Sequence, residues 1–187
     1  ASVAHPELAD QLNESSSRGP SAEDGHLKPD VSAPGTGILS AKAGAGSEGT
    51  VLTGTSMASP HVAGAAALLR QARPTWSVED IKAALMNTAF PTQNGDHTLY
   101  PESRAGAGRI RVGSAIKALT IARSDSDSGD VSLSFGEHQL SQPLSLTRNV
   151  RVVNHGAFPA SFKVTANLAT GAPGVTVVPL VTAVTVP

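Results

Sequence analysis

Gly54-Thr55-Ser56-Met57-Ala58-Ser59-Pro60-His61-Val62-Ala63-Gly64 places a serine where a glycine-punctuated stretch turns helical. Upstream, Gly44, Gly46 and Gly49 mark a loop that leads into Val51-Leu52. Downstream, Ala58, Val62, Ala65, Ala66, Leu68 and Leu69 recur at helical spacing through about Ala72, and Pro74 stops the run. Small residues dominate the first three turns, and so lean a helix predicts a central, buried element that neighbours approach from every side. Gly54 lets the backbone bend sharply and leaves room for a substrate. The Ser56 hydroxyl projects from the turn, and its backbone N–H is among the donors that a helix N-terminus leaves unpaired. Such a donor stabilises a developing oxyanion, and the helix dipole adds about 0.3 to 1 kcal/mol for negative charge there. A serine without a base is a weak nucleophile, and Gly-x-Ser by itself reads most simply as a helix cap.

The rest of the chain bounds what such a serine serves. Its 187 residues are 40% apolar, enough for one medium folded domain or for a small and a partial one. Fourteen Lys and Arg balance fifteen Asp and Glu, and their scatter leaves no footprint for nucleic acid. No apolar run approaches the roughly 18 residues of a membrane span, and Ala1 to Asp10 lacks the basic flank and apolar stretch of a secretion signal. Absence of cysteine excludes a disulfide framework and cysteine-rich zinc sites. With only 3% aromatic residues, the core must be built from Ala, Val and Leu.

Turn formers dominate residues 1 to 27, while Val31, Ala33, Ile38 and Leu39 between prolines and glycines predict short buried strands. A second helix is well signed: Ser77 is its N-cap, Asp80 stands at the third helical position, and Trp76 is placed to staple onto Ile81. It should run to about Ala89. A shorter helix is expected between Ile110 and Leu119, after the turn Gly106-Ala107-Gly108. The polar run Ser124 to Asp130 then reads as a connector. Beyond it, apolar and polar residues alternate at Val131 to Phe135, Leu144 to Val152, Phe158 to Val164 and Val175 to Val186, the pattern of a β-sandwich module. The expected division is therefore residues 1–122, a linker at 123–130, and a partial β-module at 131–187. Asp125, Asp127 and Asp130 alternate as calcium ligands would, but fit a solvated linker better, and no metal site is assigned.

At every one of its eleven positions, the string from Gly54 to Gly64 resembles the serine motif of the subtilisin-like proteases. Other stretches agree in order: Ser16-Ser17-Arg18-Gly19-Pro20, then Lys28-Pro29-Asp30-Val31-Ser32-Ala33-Pro34-Gly35, then Pro74-Thr75-Trp76-Ser77, then Gly106-Ala107-Gly108-Arg109-Ile110. The resemblance implies an α/β fold, a largely parallel sheet with a central buried helix. It implies peptide-bond hydrolysis of protein or peptide substrates through an acyl-enzyme on Ser56, with a histidine base, an orienting aspartate and no cofactor. Thr55 would support the oxyanion site, and Met57 would lie beside the nucleophile, where oxidation to the sulfoxide would crowd it. Leu52, Thr53 and Gly54 would border the substrate. The family's habit is secretion. Phe135-Gly136 and Asn149 to Gly156 give the tail a likeness to fibronectin type III-like modules, with a spacer or stabilising role.

In this family the order along the chain is Asp, His, Ser, so both partners belong upstream of Ser56. The candidates there are His5, His26, Asp10, Asp24 and Asp30, none in the family's sequence contexts. His61 stands about one and a half turns beyond Ser56, off its face of the helix. Asn13 is the only upstream asparagine and stands where the family's oxyanion donor is not found. The expectation is a C-terminal portion of a catalytic domain whose partner is its own upstream half, inactive alone. Two rival readings remain. One is an α/β-hydrolase drawing on Asp96, His97, Asp130 and His138. The other is a non-catalytic binding fragment or pseudo-protease.

Overall fold

The structure is a computed structural model and describes residues 9–126, 129–167 and 173–187. His5 and Asp127 lie outside the described residues. The order of elements is β1 (Ile38–Ala41), β2 (Gly49–Leu52), α1 (Thr55–Ala72), α2 (Val78–Asn87), α3 (Glu102–Ala105), α4 (Val112–Lys117), β3 (Thr120–Ser124), β4 (Val150–Asn154), β5 (Ala160–Lys163) and β6 (Ala183–Val186).

α1 begins at the serine motif and ends before Pro74, as its periodicity predicts. Its packing differs from the prediction. Ala65 and Leu69 are buried and Val62 and Ala66 pack on the core, a single stripe at i, i+3, i+4 and i+7. α2 and α4 cover that stripe. Ala63, Gly64, Ala67 and Leu68 on the other side remain exposed. The described residues thus cover one face of a helix whose composition suits cover on all of them.

α2 starts as its sequence dictates. The Asp80 N–H donates to Ser77 Oγ at 3.1 Å and the Ser77 N–H to Asp80 Oδ2 at 3.3 Å, a reciprocal cap that satisfies two otherwise orphaned donors. Behind it Ile81, Ala83, Ala84 and Leu85 join Trp76, Leu69, Ala115 and Ile121 in one core. Leu69 and Ile121 are fully buried, which contributes roughly 1.5–3 kcal/mol each relative to exposure.

The strands form three antiparallel pairs, β1–β2, β3–β4 and β5–β6. Parallel contact is confined, among the described residues, to a bridge between Ser32 and Arg109, and Arg109 is bridged in turn to Phe90. A largely parallel sheet needs strands on both sides of the segment around Ser32, and the described residues supply this one neighbour. β1 and β2 make a hairpin in which Leu39 faces Val51, and Leu39 is 71% exposed, so the stretch read as a buried strand stands in solvent instead.

The period-two pattern of the tail yields strands at β4, β5 and β6, while Val131 to Phe135, Leu144 to Leu146 and Val175 to Val181 are irregular. β3 pairs with β4 from Thr120↔Asn154 to Ser124↔Val150. Val131 is buried in the same core as Ile121, and Val153 packs against it. Asp125 is bonded by Arg151 at 2.7 Å, and Asp130 lies 3.3 Å from His26.

Candidate active site

The turn ahead of Ser56 is held from two sides. The Gly54 N–H donates to Gly35 O at 2.8 Å, and the Gly37 N–H donates to Thr53 Oγ1 at 2.9 Å. Gly54 O in turn accepts the N–H groups of Met57 and Ala58 at 3.0 and 3.3 Å and starts α1. Gly54 itself has φ 156° and ψ 168°, a region essentially confined to glycine. A Cβ there would find no heavy atom closer than 3.8 Å, so it is the backbone conformation, not crowding, that calls for glycine.

Ser56 is the second residue of α1 and is exposed, with Thr55 exposed beside it and Met57 half-buried. Neither the Ser56 N–H nor its hydroxyl is hydrogen-bonded among the described residues. Pro60, inside the helix, has no N–H to offer the Ser56 carbonyl four residues back, so the first turn is more sparsely bonded than the rest. His61 Nδ1 donates to Met57 O at 2.8 Å, which turns the ring back along its own helix and fits the structural role expected of it. Leu52 and Thr53, at the end of β2 and just beyond it, are exposed next to the turn. The Thr53 hydroxyl is engaged in holding Gly37.

The segments with matching motifs meet in space. Ser32 N–H donates to Gly108 O and Ile110 N–H to Ser32 O, at 2.8 and 3.0 Å, and Ala107 N–H donates to Asp30 O at 2.9 Å. Gly106 has no room for a side chain, since a Cβ would stand 2.4 Å from the Asp30 carbonyl. The strut from Gly35 to Gly54 was not foreseen. Its only trace in the sequence is the turn punctuation Pro34-Gly35-Thr36-Gly37.

The other candidate residues lie apart from Ser56. Asp10 pairs with Arg109, Lys28 with Asp30 at 3.1 Å, and His26 with Asp24 and Asp130 at 3.6 and 3.3 Å. Asn13 Oδ1 accepts from Ser15, a local turn. His97 and Asp96 belong to the loop closed by the Gln93–Leu99 bridge, and His138 Nε2 donates to Phe135 O at 2.6 Å. The Asp96 and Asp24 carboxyls are held below the usual carboxylate range, chiefly by hydrogen bonds from the Thr98 hydroxyl and the His26 backbone N–H respectively. Among the described residues none of these groups is bonded to Ser56, and no cluster of three metal-ligating side chains occurs. No helix is long and apolar enough to cross a membrane.

Comparison with known proteins agrees with this arrangement. The model of the subtilase family matches residues 2–136. Over 122 residues the chain is 47% identical to the minor extracellular protease Vpr of Bacillus subtilis, which covers 61% of this chain and 15% of Vpr. Over 107 residues it is 41% identical to the Arabidopsis thaliana subtilisin-like protease SBT1.5, covering 51% of this chain and 14% of that one. The chain therefore spans a small part of the length of these relatives. A solved structure, the prenylagaramide maturation protease PagA, is 36% identical over 46% of this chain and 31% of its own, with a TM-score of 0.38. With most of its length under the family model and Ser56 at the head of α1, the chain belongs to the subtilase family.

Proposed function

We propose that this chain carries the nucleophile of an extracellular subtilisin-like serine endopeptidase. Ser56 Oγ attacks the scissile carbonyl and forms the acyl-enzyme, which water then hydrolyses. The Ser56 N–H donates to the oxyanion, Thr55 supports that site, and Met57 flanks the leaving group. Gly54, Thr53 and Leu52 border the substrate, a protein or peptide. The histidine base and the carboxylate that orients it are assigned to upstream residues of a longer parent, together with a side-chain oxyanion donor, so the 187-residue chain alone is inactive. Residues 131–187 are read as the start of a fibronectin type III-like module, on the alternation of their sequence and the strands β4, β5 and β6. No cofactor is assigned.

The observation that carries this reading is the state of Ser56: exposed, second in α1, its backbone N–H unbonded, behind a turn that glycine alone accepts. The test is hydrolysis of a denatured protein by a gene product extended upstream of Ala1. Ser56→Ala should lower kcat by about a millionfold, the scale for losing a triad nucleophile. Retention of activity in that variant would overturn the assignment.

A further inference from the structure

The face of α2 that carries Trp76 and Asp80 is covered by residues from beyond the stretch matched to the family, and the cover is polar as well as apolar. The His155 ring stacks on Trp76 with centroids 4.5 Å apart and planes 25° from parallel. On this face Asp80 Oδ1 lies 3.3 Å from Arg123 Nε, and Asp80 Oδ2 lies 3.8 Å from His155 Nε2. All three side chains are largely buried. Asp80 Oδ1, Arg123 Nε and His155 Nε2 are each shut off from solvent without a hydrogen bond among the described residues, so attraction between the groups is what offsets their lost hydration. Trp76, 4% exposed, also lies under the Arg73 guanidinium at 5.3 Å, and its carbonyl accepts from Arg70 near the end of α1.

The two sides of this contact are anchored differently. Arg123 stands on β3, which is tied to α2 by the Ala122 N–H donating to Asn87 Oδ1 at 2.7 Å. His155 follows β4 and is held by its own N–H on Leu119 O at 2.7 Å. If the tail lifts away, Asp80 regains water and keeps its cap on α2, and Arg123 stays in reach. Helices α1 and α2 then lose a lid without losing their start signals. Docking that buries three polar groups at once is favourable only when all arrive together, which makes it a discrete step.

We infer that Trp76, Asp80 and Arg123 form a docking face for the chain's own β-rich tail, with His155 as the latch, and that the tail undocks as a unit before the helices unfold. The tail is then a clamp on the elbow between α1 and α2 and not a passive spacer. This inference does not depend on the assignment of Ser56.

Trp76 is the only tryptophan in the chain and reports on the latch directly. In the intact protein, urea unfolding followed by Trp76 emission and acrylamide quenching should precede the loss of far-UV ellipticity. His155→Ala should move the emission to the red and open Trp76 to quenching at wild-type ellipticity, while His138→Ala on the exposed tail should do neither. Coincident transitions in the wild-type protein would overturn the inference, whether or not the variant folds. So would a His155→Ala protein whose Trp76 stays as shielded as in His138→Ala.

Discussion

Replacing Gly35 by alanine should damage the nucleophile turn through a single added methyl group. A Cβ at Gly35 would stand 2.8 Å from Gly54 O and 3.3 Å from Ala58 Cβ. The oxygen has little freedom to retreat, because Gly54 donates to Gly35 O and Gly54 O receives the first two N–H groups of α1. Gly35 is not among the glycines with positive φ, so the cost is steric and not conformational. Forced contacts of this kind cost about 1–3 kcal/mol. For a chain of this size that lowers Tm by roughly 2–12 °C, at about 2–4 °C per kcal/mol. Gly113→Ala provides the contrast: it lies in α4 with nothing within 4 Å of a Cβ, and helix propensity makes the change stabilising by about 0.5–1 kcal/mol. Urea unfolding of both variants measures the pair. A Gly35→Ala protein as stable as wild type, or a Gly113→Ala protein less stable than Gly35→Ala, would refute the packing argument.

Leu69→Ala, at a site 0% exposed, should cost about 2–5 kcal/mol, while Leu68→Ala, at 50% exposed on the bare face of α1, should cost under about 1 kcal/mol; equal losses in urea unfolding would mean that α1 is not packed along a single stripe. The Glu79 carboxyl is held below its usual range, first by its own backbone N–H and then by the Ser77 hydroxyl. A depressed folded-state value means stability that is present above the ordinary glutamate value and lost as the pH falls through the lower one. Far-UV ellipticity at fixed urea should therefore drop between about pH 5 and 3, less steeply in Glu79→Gln, and identical acid profiles would contradict this.

Helices were the legible part of this chain because their signals are local. Gly54 and Pro74 bracket α1, and Ser77 with Asp80 announces α2. Strands need a partner that periodicity does not name. Val131 and Leu133 alternate as well as Val150 and Val152 do, yet only the latter meet a neighbouring strand, β3. Leu39 and Val51 looked buried because apolar residues usually are, but the hairpin pairs them with each other and leaves both in solvent. Asp80 was visible as a cap and invisible as the partner of Arg123 and His155, which come from distant parts of the chain. For the site, the serine motif was readable residue by residue, while the strut from Gly35 and the hold of Gly37 on Thr53 required the fold.

The claim that Ser56 is an activated nucleophile in its parent protein is tested most directly by mass-spectrometric mapping after brief exposure to a fluorophosphonate. The account predicts an adduct on Ser56 in the product extended upstream, none in Ser56→Ala, and only slow labelling of the 187-residue chain alone. An adduct on a different serine, or rapid labelling of Ser56 in this chain by itself, would contradict it.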